Sequence, residues 1–162
     1  MTALLSEYED SPPETATRRR WLAVLAHAPR ELLERHAAAI ADAGFVRLRA
    51  PEVGMALLRA RIGNQGDRFN LGDATVTRCV VRHQGVDGHV AAGVGYVLGR
   101  DEARAEWVAR LDALLQQPEH HDALMRDLVA PLAAAVEAHR ADDAARAARS
   151  RVEFHTLAPE VG

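Results

Sequence analysis

The chain contains no lysine: all 20 of its basic residues are arginine. Every positive charge is therefore a planar fork, suited to paired hydrogen bonds with carboxylates or phosphates. Cysteine is almost absent too. With Cys79 alone, no intrachain disulfide, all-cysteine metal site or iron–sulfur centre can form within the chain. No apolar run is long enough for a membrane-spanning helix. Residues Met1 to Asp10 are acidic and lack the basic and apolar regions of a signal peptide, so a cytoplasmic location is expected. Net charge is −3 and the isoelectric point about 6.2, which argues against a dedicated nucleic-acid binder. There is no internal repeat.

What is present is enough for one domain. With 162 residues and 48% hydrophobic content, the chain can bury a substantial core. Residues 1–14 read as a flexible leader, 15–150 as a single α+β domain and 151–162 as an extended C-terminal arm. Ser11-Pro12-Pro13-Glu14 has the form of a capping box, and a helix is predicted to about His27, burying Trp21, Leu22 and Leu25. Pro29 starts a second helix with Leu33, Ala37 and Ile40 on one face, stopped at Gly44. Together they make an N-terminal helical hairpin.

Four mainly antiparallel strands are predicted next: Phe45–Ala50, Gly54–Ile62, Thr75–His83 and His89–Leu98. Pro51 separates the first two. The segment from 63 to 74, rich in Gly, Asn and Asp, reads as a loop leading into the third. Gln84 to Gly88 reads as a hairpin turn. Gly93 and Gly95 point to a bulge or a close backbone approach. Asp101 is the expected N-cap of a helix whose stripe is Trp107, Val108, Leu111, Leu114 and Leu115. Pro118 begins another, carrying Leu124, Leu128, Leu132 and Val136, and Pro131 should kink or split it. From Ala133 to Arg149 the apolar face is thin, as in a helix that packs on a partner. Val152 to Leu157 alternates as a short terminal strand or arm.

Few residues are arranged for chemistry. Arg47, Arg49, Arg59, Arg61, Arg78 and Arg82 lie on strands; by alternation Arg47 and Arg49 share a face, as do Arg59 and Arg61. That row fits a solvated face, a dock for an acidic partner, or a site for a phosphorylated ligand. The loop amides of 63–72 can meet an anion, but the segment lacks the Gly-Lys-Ser/Thr ending of a phosphate loop. His120-His121-Asp122 lacks metal-ligand spacing. Cys79, mid-strand beside valines, reads as buried and inert. No nucleophile–base set or carboxylate pair stands in a supporting context.

Several segments carry a resemblance. They are Arg20-Trp21-Leu22-Ala23-Val24-Leu25-Ala26, Leu48-Arg49-Ala50-Pro51-Glu52-Val53-Gly54, Phe69-Asn70-Leu71-Gly72-Asp73-Ala74-Thr75-Val76-Thr77-Arg78-Cys79 and Arg151-Val152-Glu153-Phe154. Gly95-Tyr96-Val97-Leu98-Gly99-Arg100-Asp101 adds to them. In this order they resemble the PhnG family, the G subunit of the bacterial carbon–phosphorus lyase core complex. Asp73 stands where Glu is commoner, and His155 where an aromatic is.

The resemblance implies a non-catalytic subunit, in a dimer or hetero-oligomer with the H, I and J subunits, the I subunit most directly. An ATP-binding-cassette-like partner acts with that complex. Its first reaction transfers the ribose 5-triphosphate of ATP to a phosphonate and releases adenine. A later step, using an iron–sulfur cluster and SAM in the J subunit, breaks the carbon–phosphorus bond. No cofactor is then expected on this chain, and no nucleic acid or membrane partner. Phe69, Asn70, Gly72, Thr75, Thr77, Arg78, Arg49, Arg61 and Phe154 are the candidate ligand- or partner-binding residues. No catalytic and no metal-binding residues are expected. The alternatives are an enzyme subunit using Arg78 and the 63–72 loop on phosphate or phosphonate, and a regulatory nucleic-acid module. The 134–157 segment and the helical hairpin are expected to bury apolar residues on other subunits.

Overall fold

A computed structural model describes residues 13–40, 44–61 and 66–150. The order is α1 (Pro13–His27), α2 (Arg30–Ala39), β1 (Val46–Arg61), β2 (Arg68–Gln84), β3 (Val90–Leu98), α3 (Glu102–Leu115), α4 (Pro118–Leu124) and α5 (Ala130–Arg149). The leader's capping box and the 151–162 arm lie outside the described residues.

The sheet has three antiparallel strands, β1-β2-β3, not four. Pro51 does not break the chain, because β1 is an edge strand and needs no N–H there for a neighbour. Register shifts at Arg47/Arg49 and Arg49/Glu52 absorb the misfit, so the two expected strands run together as one of 16 residues. β2 begins at Arg68, earlier than Thr75. Phe69 to Ala74, expected as loop, pairs with β1 through a further irregularity between Leu58 and Arg59. Gly72 sits at this irregularity with φ of 143°, a backbone state that favours glycine. The β2–β3 turn closes as predicted. Gly85 N–H donates to His89 O at 2.8 Å, Gly88 N–H donates to Gly85 O at 3.0 Å, and Gly88 has φ of 84°.

Alternation decides which face is covered. Thr77, Cys79, Val81 and His83 on β2, and Ala91, Gly93, Gly95 and Val97 on β3, are buried under α3. The two glycines are there for close approach. A Cβ on Gly93 would lie 1.9 Å from Ala109 O, and one on Gly95 would lie 1.9 Å from Ala105 O. The backbone of α3 thus rests directly on β3, with no bulge between β2 and β3.

Asp101 caps α3 as expected, its side chain accepting from Arg104 N–H at 3.0 Å. Leu111, Leu115, Leu128, Leu132, Leu25 and Leu33 fill the core between α3, the hairpin α1–α2 and the C-terminal helices. Trp21, Leu25, Leu33 and Ala37 are buried within this chain, so the hairpin's apolar face is spent on its own core. Pro131 does not end the helix. Met125–Val129 forms a wider turn, with Ala130 N–H reaching back to Met125 O, and α5 continues from it. The wide turn makes room where the proline ring would clash with the preceding turn. Beyond Val136 nearly every residue of α5 is exposed, matching its thin apolar face.

Candidate functional site

The structure sorts the nine candidate residues into three places. Phe69, Asn70, Gly72 and Thr75 lie on β2 where it pairs only with β1, beyond the end of β3 at Leu98. Arg61 lies on the facing strand and donates to Gly66 O at 2.9 Å. These five belong to a two-stranded arm, not to a concavity.

Arg49 and Arg78 come together on the bare face of the sheet, both paired with Glu52. Arg49 Nη1 is 3.1 Å from Glu52 Oε1, and Arg78 Nε is 2.5 Å from the same oxygen. The Arg78 hydrogen bond, with help from Arg49, holds the Glu52 carboxyl below its usual range. Arg47 does not join them. The register shift after Arg47 flips the parity of β1, sending Arg47 to the covered face. There it makes a forked pair with Glu106 of α3, at 2.9 Å from each guanidinium nitrogen.

Thr77 is fully buried and structural. Its Oγ donates to Gly99 O at 2.6 Å and accepts from Asp101 N–H at 3.2 Å, tying the end of the sheet to the cap of α3. Phe154 lies outside the described residues.

Residue patterns did not reveal the polar anchors of the fold. Asp112 is fully buried on α3 and accepts hydrogen bonds from four groups. They are Arg18 (Nη2 2.7 Å, Nε 3.2 Å), Trp21 Nε1 (2.8 Å), Val94 N–H (2.9 Å) and Gln116 Nε2 (3.4 Å). Arg18 also donates to Ala92 O at 2.9 Å. Carboxylate and guanidinium together satisfy the open edge of β3, as an unpaired edge requires. The one sequence signal was a carboxylate set inside the apolar stripe Leu111-Asp112-Ala113-Leu114.

A second anchor is Arg104, whose Nη2 donates to Ala26 O at 2.8 Å and Ala28 O at 2.7 Å, closing the end of α1. Burial lowers its pKa from the ordinary arginine value. Burial alone would raise Glu106, but hydrogen bonds from Arg47 and Arg110 outweigh it and hold the carboxyl below its usual range. Burial pushes the Cys79 thiol up. His121 turns inward, its Nδ1 2.7 Å from Leu115 O and its ring edge-on to Trp21. Among the described residues no group of three His, Cys, Asp or Glu side chains converges to hold a metal.

Two clefts open elsewhere. One of about 420 Å³ lies where α1 ends against β3 and α5, lined by His27, Tyr96, Arg104 and His139 among others. Another of about 650 Å³ lies beside α1, lined by Thr17, Arg18, His89 and His121 among others. Neither contains one of the nine candidate residues, although Ala26, Tyr96 and Leu98 in the first and Trp21 in the second belong to resemblance-bearing segments. Five of the candidates, Phe69, Asn70, Gly72, Thr75 and Arg61, map instead to an open, partly apolar strand surface. The chain belongs to the PhnG family: the family described as phosphonate metabolism protein PhnG matches residues 16–159. It is 40% identical over 144 residues to the alpha-D-ribose 1-methylphosphonate 5-triphosphate synthase subunit PhnG of Rhizobium meliloti (strain 1021), covering 88% of each chain. No helix among the described residues is long and apolar enough to cross a membrane.

Proposed function

We propose that this chain is a non-catalytic subunit of an α-D-ribose 1-methylphosphonate 5-triphosphate synthase in organic phosphonate catabolism. It supports transfer of the ribose 5-triphosphate of ATP to a phosphonate, with release of adenine. Its partners in this reading are the H, I and J subunits, the I subunit most directly, with an ATP-binding-cassette-like protein acting on the assembly in the cytoplasm. ATP is a substrate of the whole complex. The iron–sulfur cluster and SAM belong to the J subunit, and this chain holds no cofactor.

The observation that carries this reading is what the candidate arginines already hold. The two best placed for a phosphate, Arg49 and Arg78, already share Glu52. A phosphate would have to displace that carboxylate, giving up two ion pairs to gain its own. Protein contact makes no such demand.

Co-expression with the H, I and J subunits, followed by native mass measurement, tests the assignment. A stable assembly containing this chain is expected. Calorimetry of the purified chain with ATP and methylphosphonate should show no binding. Micromolar binding without partners would replace the subunit reading with a ligand-binding one.

A further inference from the structure

Past Leu98 the sheet narrows to two strands, with Met55–Arg61 facing Arg68–Thr75. At about 3.3 Å per residue this arm is roughly 25 Å long. It is unusually apolar for something uncovered. Met55 is 77% exposed, Leu71 62%, Leu57 55%, Phe69 40% and Leu58 39%. Leu57 pairs with Asp73 and Leu58 with Gly72, so successive leucines point to opposite faces of the ribbon. Both faces therefore present large apolar side chains. A two-stranded ribbon is marginal in water without something packed on it, and a contiguous apolar surface of this kind marks an interaction site.

The charge pattern narrows the occupant. Between Val46 and Gln84 there are seven arginines against three acidic residues; elsewhere the chain has thirteen against twenty. Among the described residues, Arg59 on the arm and Arg82 at the far end of β2 have no carboxylate partner. A second copy docked arm to arm would set that arginine surplus against itself. The clefts beside α1 and α5 hold apolar side chains such as Leu98, Val136, Trp21 and Leu115, but also Arg18, Arg104 and Arg140, which would repel the arm's own arginines.

We infer that the arm inserts into an apolar groove on a different subunit, one whose rim carries carboxylates that meet Arg59. Coverage from both sides explains why each face of the ribbon carries large apolar side chains. This inference rests on the subunit reading above and specifies which surface performs it.

The test uses the full chain co-expressed with the H, I and J subunits. The double variant Met55→Asp/Leu57→Asp changes only exposed side chains, so its melting temperature and circular dichroism should match the parent's. Its recovery in the complex should fall at least tenfold, while the conservative Leu57→Val keeps parental recovery. Arg59→Glu should weaken assembly and remove part of its salt sensitivity. Hydrogen exchange on the unmodified chain supplies a readout that needs no variant: amides of 55–61 and 68–75 should gain protection on assembly. Parental recovery of the double variant, or unchanged exchange in the arm, would overturn the inference while leaving the subunit reading intact. A concentration-dependent homodimer abolished by the double variant would overturn it in favour of a second copy. If the parental chain joins no assembly, the subunit reading itself fails.

Discussion

At the residue scale, the fold depends on polar side chains that end up without water. Asp112 is the clearest case, since Arg18 and Trp21 of α1 and Val94 of β3 all donate to it. Asp112→Ala would leave the buried Trp21 Nε1 without its acceptor and strip the part-buried Arg18 of its counter-charge; a loss of about 3 kcal/mol is expected, readable by urea denaturation. Glu106 gives a pH prediction. Its folded pKa is depressed by Arg47 and Arg110, so its contribution is complete above the ordinary glutamate value of 4.5. It is lost as pH falls through the lower, folded value. Glu106→Gln should therefore flatten the acid limb of the stability curve below about pH 4.5 and lower stability at neutral pH. Cys79 is fully buried, with its thiol pKa raised by burial. A disulfide reagent at pH 8 should label it slowly in the native protein and at once in denaturant.

At the scale of elements, close packing of α3 on β3 is the decisive contact. Gly95→Ala would place a methyl 1.9 Å from Ala105 O, a backbone atom that cannot swing aside. A destabilisation of about 1–3 kcal/mol or more is expected, with a lower melting temperature and looser near-UV circular dichroism. Gly54, on the open edge strand, has nothing within 4 Å of the place an added methyl would take. Gly54→Ala should therefore cost far less, and the contrast between the two variants isolates the packing effect from the loss of glycine alone. The same logic separates the prolines. Pro51 is tolerated because its strand is an edge, and Pro131 because a wide helical turn precedes it.

At the scale of the whole molecule, the chain is divided between a covered half and an uncovered one. Helices enclose one face of the sheet, and the apolar arm and the opposite face, with Val90, Tyr96 and Leu98, remain open. The isolated native chain should bind the dye ANS. Assembly with its partner subunits should suppress that signal, and Met55→Asp/Leu57→Asp should reduce it in the free chain.

The amino-acid sequence by itself determined the helices, the Asp101 cap and the α+β order, because apolar spacing, Pro29 and Asp101 act over a few neighbouring residues. It also determined the family, through the motif around Phe69 to Cys79. Tertiary structure alone decided that Pro51 lies within one long strand, since only the edge position of β1 makes its missing N–H harmless. It decided that Arg47 and Arg49 part company, because one extra residue in a strand reverses every side chain beyond it. It decided, too, that Asp112 would be a buried anchor and not a surface charge. Its donors come from α1, β3 and α3, and no local pattern records that those three meet.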